Sequence, residues 1–117
     1  MKKTLPIKEN RVFRTLYSRG RSAARKTMVL YVRRHRDRTV NQLGFTVSVK
    51  LGCAAVRNRT RRRLKETYRL CETRLKSGFD IVIVARKAAY DAPFEVLQED
   101  FLRLCGQLEL LEETQDA

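Results

Sequence analysis

Gln42-Leu43-Gly44-Phe45-Thr46-Val47-Ser48-Val49-Lys50-Leu51-Gly52-Cys53-Ala54-Ala55-Val56-Arg57-Asn58-Arg59-Thr60-Arg61-Arg62-Arg63-Leu64-Lys65-Glu66 changes its period in the middle. In its first part Leu43, Phe45, Val47 and Val49 alternate with Gly44, Thr46 and Ser48, the two-residue repeat of a strand with one covered and one open face. Beyond Gly52 the residues Leu64, Tyr68, Cys71 and Leu75 recur at helical spacing, and Gly78 stands where such a helix would close. This predicts a long helix over residues 58–76. Ile81-Val82-Ile83-Val84-Ala85 follows, apolar at every position, as suits a strand covered on both faces. Strand, helix and buried strand in this order predict a strand-helix-strand unit with the helix as crossover.

Working outward, Thr27-Met28-Val29-Leu30-Tyr31-Val32 is rich in β-branched and aromatic residues, and the polar stretch 33–41 separates it from the strand at 42–49. The two read as an antiparallel hairpin with a charged connection. Residues 8–19 place Val12, Phe13, Leu16 and Tyr17 on neighbouring helical faces, with Gly20 at the C-cap position, and predict a short amphipathic helix. Pro93 introduces a last helix whose Phe94, Leu97, Phe101, Leu104, Leu108 and Leu111 form a core-facing stripe. The acidic tail 112–117 is expected to fray, and residues 1–117 to form a single domain of mixed α and β structure.

The chain has 117 residues with 26 Lys plus Arg against 13 Asp plus Glu, a formal net charge of +13. Such a field attracts polyanions, and nucleic acid is favoured over an anionic membrane surface because neutralising phosphates releases condensed counterions. No apolar run has the length of a signal peptide core or a membrane span, so the chain is expected to stay soluble in the cytoplasm, away from membranes. Cys53, Cys71 and Cys105 are widely spaced and lack a Cys-x-x-Cys pair, which predicts free, buried or half-buried thiols rather than a zinc site. His35 is the single histidine, in a charged stretch without a nucleophile or carboxylate partner beside it, and reads as a polar loop residue. The sequence therefore predicts neither catalytic residues nor a protein-held metal.

Between residues 50 and 69 the cations are Lys50, Arg57, Arg59, Arg61, Arg62, Arg63, Lys65 and Arg69, with Glu66 the sole acid. Solvated helices usually intersperse both signs. At about 100° per residue Asn58, Arg62, Lys65 and Arg69 share a stripe roughly opposite Leu64 and Cys71, so one side packs while the other presents cations. Arg59 and Arg63 widen that surface, and the helix N-terminus adds amide donors that favour anions. Phe13 and Tyr17, one helical turn apart, read either as a stacking platform for single-stranded bases or as core; Tyr31 carries the same two readings.

Val56-Arg57-Asn58-Arg59-Thr60-Arg61-Arg62, after Lys50-Leu51-Gly52-Cys53-Ala54, resembles the Arg-Asn-Arg motif and preceding Lys-x-Gly-x-Ala stretch of the bacterial ribonuclease P protein family. Phe13-x-x-x-Tyr17-x-x-Gly20 is similar to that family's aromatic first helix, Val29-Leu30-Tyr31 to its first strand, and Asp80-Ile81-Val82-Ile83-Val84-Ala85-Arg86-Lys87 to its last strand. The resemblance covers most of the chain. It implies an α+β, two-layer α/β sandwich in the order α-β-β-β-α-β-α with a left-handed β-α-β crossover, of the kind found in the second domain of ribosomal protein S5.

It further implies a catalytic RNA partner that hydrolyses precursor tRNA to release the 5′ leader, with Mg²⁺ held mainly by RNA and substrate, and no obligate protein partner. Arg57, Asn58, Arg59, Arg62 and Lys65, with Arg61 and Arg69 of the same basic run, would contact the catalytic RNA. Phe13, Tyr17, Tyr31, Lys50, Arg86 and Lys87 would belong to the leader cleft. Val49, Ala55 and Lys65 depart from the family pattern, in which a lysine, a valine and an arginine are usual; lysine keeps the charge of arginine but loses its planar fork. A ribosomal-type structural RNA-binding protein is the rival reading. A DNA-binding protein lacks a helix-turn-helix partner for the basic helix, and an autonomous nuclease would need clustered carboxylates or a histidine pair.

Overall fold

A computed structural model describes residues 3–35 and 37–112. Among them, β1 (Lys3–Pro6), β2 (Arg21–Ala24), β3 (Met28–Arg34), β4 (Val40–Thr46) and β5 (Phe79–Ala85) form one sheet in the order β1-β4-β5-β3-β2. The helices are α1 (Asn10–Arg19), α2 (Ala54–Cys71) and α3 (Phe94–Gln107). The family order implied by the sequence is present from α1 onward, preceded by the short strand β1.

The most apolar strand, β5, takes the centre, parallel to β4 and antiparallel to β3. Its Ile81, Ile83 and Ala85 join Met28, Leu30 and Val32 of β3 in a core closed by Leu64, Tyr68 and Cys71 of α2 and by Leu97, Phe101 and Leu104 of α3. The Tyr68 and Phe101 rings meet edge to face at 5.9 Å, and each fully buried Leu or Ile contributes roughly 1.5–3 kcal/mol. Val82, fully buried but outside this core, alternates to the opposite face. There α1 lies across the sheet, with Leu16 buried beneath it. Gly20 ends α1 at φ −76°, so its conformation does not require glycine; space does, because a Cβ there would lie 2.6 Å from the Leu16 carbonyl oxygen and 3.0 Å from that of Val32.

The β4-α2-β5 unit has the parallel pairing expected of a strand-helix-strand crossover. The expected hairpin is absent: β3 and β4 do not pair, because β5 lies between them. Alternation identifies the covered face of a strand but not its neighbour, and an all-apolar strand gains most from the central position. The turn before β5 is held at both sides. Gly78, at φ +96°, donates its N–H to Val40 O at 3.0 Å and accepts from His35 N–H at 2.9 Å. The buried Asn41 amide donates to Lys76 O at 3.0 Å and accepts from Phe79 N–H at 2.9 Å. His35 Nε2 lies 2.9 Å from Val40 O, a structural role in keeping with its reading as a loop residue.

Several boundaries differ from expectation. β4 ends at Thr46, and Val49 is 73% exposed in a 3₁₀ turn, Val49–Leu51, whose Lys50 N–H is capped by Ser48 Oγ at 3.1 Å. α2 starts at Ala54, before its apolar stripe begins, and stops at Cys71; Glu72–Arg74 form a 3₁₀ turn. Leu75 is instead extended and bridges to Leu111, which lies beyond the end of α3, as does Leu108 at the C-cap. Glu112 is anchored by its N–H to Arg74 O at 2.9 Å, while the rest of the predicted frayed tail, 113–117, lies outside the described residues.

Two arginines fasten the helices to neighbouring segments. Arg25 Nε donates to Asp100 Oδ1 at 2.8 Å, and Thr27 Oγ1 donates to Asp100 Oδ2 at 2.6 Å. Burial opposes the Asp100 charge, but the hydrogen bonds from Thr27 and Arg25 outweigh it and hold the carboxyl below its ordinary pKa. That stabilisation is complete above the unfolded carboxyl's pKa and is lost as pH falls through the folded one. On α2, Arg63 donates to the carbonyls of Ala89 at 2.6 Å, Tyr90 at 2.9 Å and Ala92, tying the β5–α3 connection to the helix. Arg63→Ala should therefore cost about 1–3 kcal/mol by leaving partly buried carbonyls without their donor. Arg63→Lys, which lacks the fork, should recover only part of it. Thermal melting of the free protein checks this, and melting points equal to wild type would remove the clamp.

Candidate nucleic-acid interface

The outward surface of α2 is basic, but its cations are not equivalent. Arg57 is half-buried and folds back to donate from Nε to Gly52 O at 3.2 Å. Asn58, Arg59, Arg62, Lys65 and Arg69 are exposed. The Asn58 side-chain oxygen accepts from Arg61 at 3.3 Å, and the Arg59 guanidinium stands 5.4 Å from the centroid of the Tyr90 ring. Arg69 forms a two-pronged pair with Glu66, at 2.9 and 2.5 Å, which lowers the Glu66 pKa and raises that of Arg69. Among the described residues Arg62 and Lys65 hold neither a side-chain hydrogen bond nor an ion pair. Arg63 does not widen the cationic surface as the sequence suggested: its guanidinium turns to the 89–92 carbonyls.

The start of α2 also carries Cys53 at the N-cap position. Its thiol is exposed, whereas Cys71 and Cys105 are buried, so the expectation of covered thiols fails at this residue. Hydrogen bonds from the Val56 and Ala55 amides draw the Cys53 pKa down, and burial drives that of Cys105 above the ordinary thiol range.

On the other face of the sheet, Phe13 and Tyr17 of α1 meet the open side of β4 and β3. The half-buried Phe13 ring rests on Gly44; a Cβ there would lie 2.5 Å from its Cζ, so this close approach requires glycine. Tyr17 is 41% exposed, packs edge to face on Tyr31 with centroids 4.9 Å apart, and places its hydroxyl 2.5 Å from Thr46 Oγ1. The three aromatic residues singled out in the sequence thus share one face, joined by Thr46. Lys50, Arg86 and Lys87 are exposed and follow the C-terminal ends of β4 and β5, which lie side by side with Thr46 opposite Val84. They stand at that end of the sheet rather than among the aromatic rings, and Arg86 donates to Arg25 O at 3.2 Å. α2 starts from the same end.

Tyr90 escaped the sequence reading. It is 38% exposed, faces Arg59, and sits with Lys87, Leu51 and Val56 around a hollow of about 570 Å³. No spacing in the sequence links residues 59 and 90; the Arg63 clamp brings them together. Among the described residues no three His, Cys, Asp or Glu side chains converge to hold a metal, and no helix is long and apolar enough to cross a membrane.

The family model described as Ribonuclease P matches residues 1–109. The ribonuclease P protein component of Symbiobacterium thermophilum is 39% identical over 112 residues, covering 96% of this chain and 97% of that protein. That of Alkaliphilus metalliredigens is 36% identical over 105 residues, covering 90% and 94%. Among solved structures, the RNase P protein of Staphylococcus aureus aligns with a TM-score of 0.76 at 27% identity, covering 94% of this chain and all of that one. The RNase P protein of Thermotoga maritima aligns with a TM-score of 0.76 at 26% identity, covering 92% and 98%. With the motif run of α2, the aromatic α1 and the mixed sheet in the same arrangement, the chain belongs to the ribonuclease P protein family.

Proposed function

We propose that this chain is the RNA-binding protein subunit of ribonuclease P, in which a catalytic RNA removes the 5′ leader of precursor tRNA and the protein holds RNA and substrate in place. The observation that carries the reading is the adjacency of a one-sided basic helix, α2, and an aromatic cleft between α1 and the sheet, which meet at one end of the molecule. Arg59, Arg62 and Lys65, with Arg57, Asn58, Arg61 and Arg69 beside them, face the catalytic RNA. Their cations replace counterions along its phosphates. Phe13, Tyr17 and Tyr31 offer faces to the bases of the single-stranded leader, and Lys50, Arg86 and Lys87 hold its backbone, the usual division of labour for single strands.

In this reading the protein supplies no acid, base or nucleophile. Mg²⁺ belongs to the RNA and substrate, where it serves the hydrolysis, and this chain orients the leader. The purified protein should leave precursor tRNA intact and should stimulate its RNA partner at low Mg²⁺. Incubating each component separately and together measures this, and cleavage at the mature 5′ end by RNA-free protein would overturn the assignment.

Arg62→Ala should weaken binding to the catalytic RNA and flatten the slope of log affinity against log salt by about 0.7–0.9, with the melting point unchanged. An unaltered slope returns the basic helix to a role in solubility.

Phe13→Leu keeps much of the apolar volume and removes the π-face. It should weaken holoenzyme binding of leader-bearing precursor by about 1–3 kcal/mol while leaving mature tRNA almost unaffected. Affinities for substrates with long, very short and absent leaders, measured beside the melting point, separate stacking from packing. A loss that follows the fraction folded and ignores leader length would make Phe13 a core residue only.

A further inference from the structure

β1 and β4 extend the sheet past the edge of α2, and the strip left between them is a pocket of about 450 Å³. Its floor is apolar: Leu43 and Phe45 of β4, both half-buried, and the ring of Tyr68. Leu5, 40% exposed on the edge strand, forms the outer wall with Pro6. The helix side is cationic. Arg61, Lys65 and Arg69 succeed one another at four-residue spacing, about 6 Å of helical rise each, and all three line the pocket. At its remaining side Thr4 Oγ1 lies 2.9 Å from Tyr68 Oη and donates to Glu72, leaving that carboxylate further capacity to accept a hydrogen bond.

We propose that this pocket receives one unpaired nucleobase of the catalytic RNA, with the phosphates flanking that nucleotide on Arg61 and Lys65. The inference rests on the family reading above and adds a base-binding site on the face of the sheet opposite the aromatic cleft. Charge complementarity selects the occupant. A flat, largely apolar body carrying negative charge at one edge fits an apolar floor beside two cations. Arg69 is engaged by Glu66 and contributes less. Glu72 opposes any group that places an anion at the far side and accepts from a base N–H there. An aliphatic side chain from a protein partner would fill the floor and leave the cations without counter-charges. The base makes the contact sensitive to the shape of the pocket, and the phosphates make it sensitive to salt, so the two halves can be measured apart.

The test uses the full chain mixed with a bacterial ribonuclease P RNA. Base-directed chemical probing of the complex should find an unpaired nucleotide protected by wild-type protein and reactive again with Leu5→Trp, which fills the pocket from its outer wall. The same substitution should weaken RNA binding about tenfold without changing the salt slope, whereas Lys65→Gln should flatten the slope by about 0.7–0.9. Adenosine monophosphate added to the free protein at millimolar concentration should shift the Leu5 and Leu43 methyl resonances, and ribose 5-phosphate should not. If Leu5→Trp lowers the melting point, Arg61→Gln combined with Lys65→Gln decides, since it must release the same nucleotide. Unchanged affinity and protections in a normally melting Leu5→Trp protein overturn the pocket and leave the family reading intact. Methyl shifts that follow deletion of residues 113–117 instead of nucleotide addition overturn it in favour of the acidic tail. Failure of wild-type protein to bind the RNA removes both readings.

Discussion

The fold depends on covering both faces of one strand. β5 is apolar along almost its whole length, and a strand of that kind in water exposes hydrocarbon on both of its faces. Placing it centrally, between β3 and β4, protects its edges; α2 with α3 and then α1 protect its faces. The geometry of the candidate interface follows. Because β4 and β5 are parallel, the crossover helix must leave from the end at which both strands finish. The N-terminus of α2, the turn bearing Lys50 and the segment bearing Arg86 and Lys87 therefore gather at one end of the sheet, beside Thr46 and Tyr17.

Charge is divided by a second constraint. Three arginines are tied into the fold by carbonyls or a buried carboxylate: Arg63 on the 89–92 connection, Arg57 on Gly52, Arg25 on Asp100. The other cations of α2 lie toward its outward surface, and there they crowd. Arg61 and Lys65, and Lys65 and Arg69, are like-charged neighbours at four-residue spacing, each pair destabilising an isolated helix by roughly 0.2–0.5 kcal/mol. Only Glu66 relieves them, through Arg69. A chain that needed charge for solubility alone would alternate signs. A polyanion relieves every one of these repulsions at once, and this is the physical reason the proposed RNA contact and the imbalance of α2 belong together.

Period and punctuation made the elements of the chain legible. Gly20, Gly78 and Pro93 mark boundaries, the full apolarity of β5 announces burial on both sides, and the change of period after Gly52 announces the crossover. Neighbourhood was less legible: a two-residue repeat in 27–32 and 42–49 is equally satisfied by a hairpin and by two strands separated by a third. β1 is four residues long and includes a proline, too little pattern to read, yet it builds the outer wall of the α2 pocket. Within the basic run, residue type could not separate Arg62 from Arg63, because adjacent helical positions differ by about 100° and only the location of the 89–92 carbonyls decides which one turns inward. The Arg59–Tyr90 contact has the same origin.

The aromatic residues show why the choice between core and site has no single answer at a cleft. Phe13 sets one edge of its ring on the bare backbone of Gly44 and leaves other parts uncovered, so the contact that fixes its orientation is also what presents its remaining surface. Tyr17 is held from two directions, by the edge of Tyr31 and by the Thr46 hydroxyl, while two-fifths of it stays exposed. A side chain fixed in this way loses little rotamer freedom when a base arrives, and a flexible chain closing on it meets a surface already formed. The cost of ordering then falls on the single strand alone, where stacking on successive faces offsets it. Packing against α1 and the sheet is thus the part of folding that pre-organises the proposed leader cleft, and the glycine beneath Phe13 is as much a component of that cleft as the rings that line it.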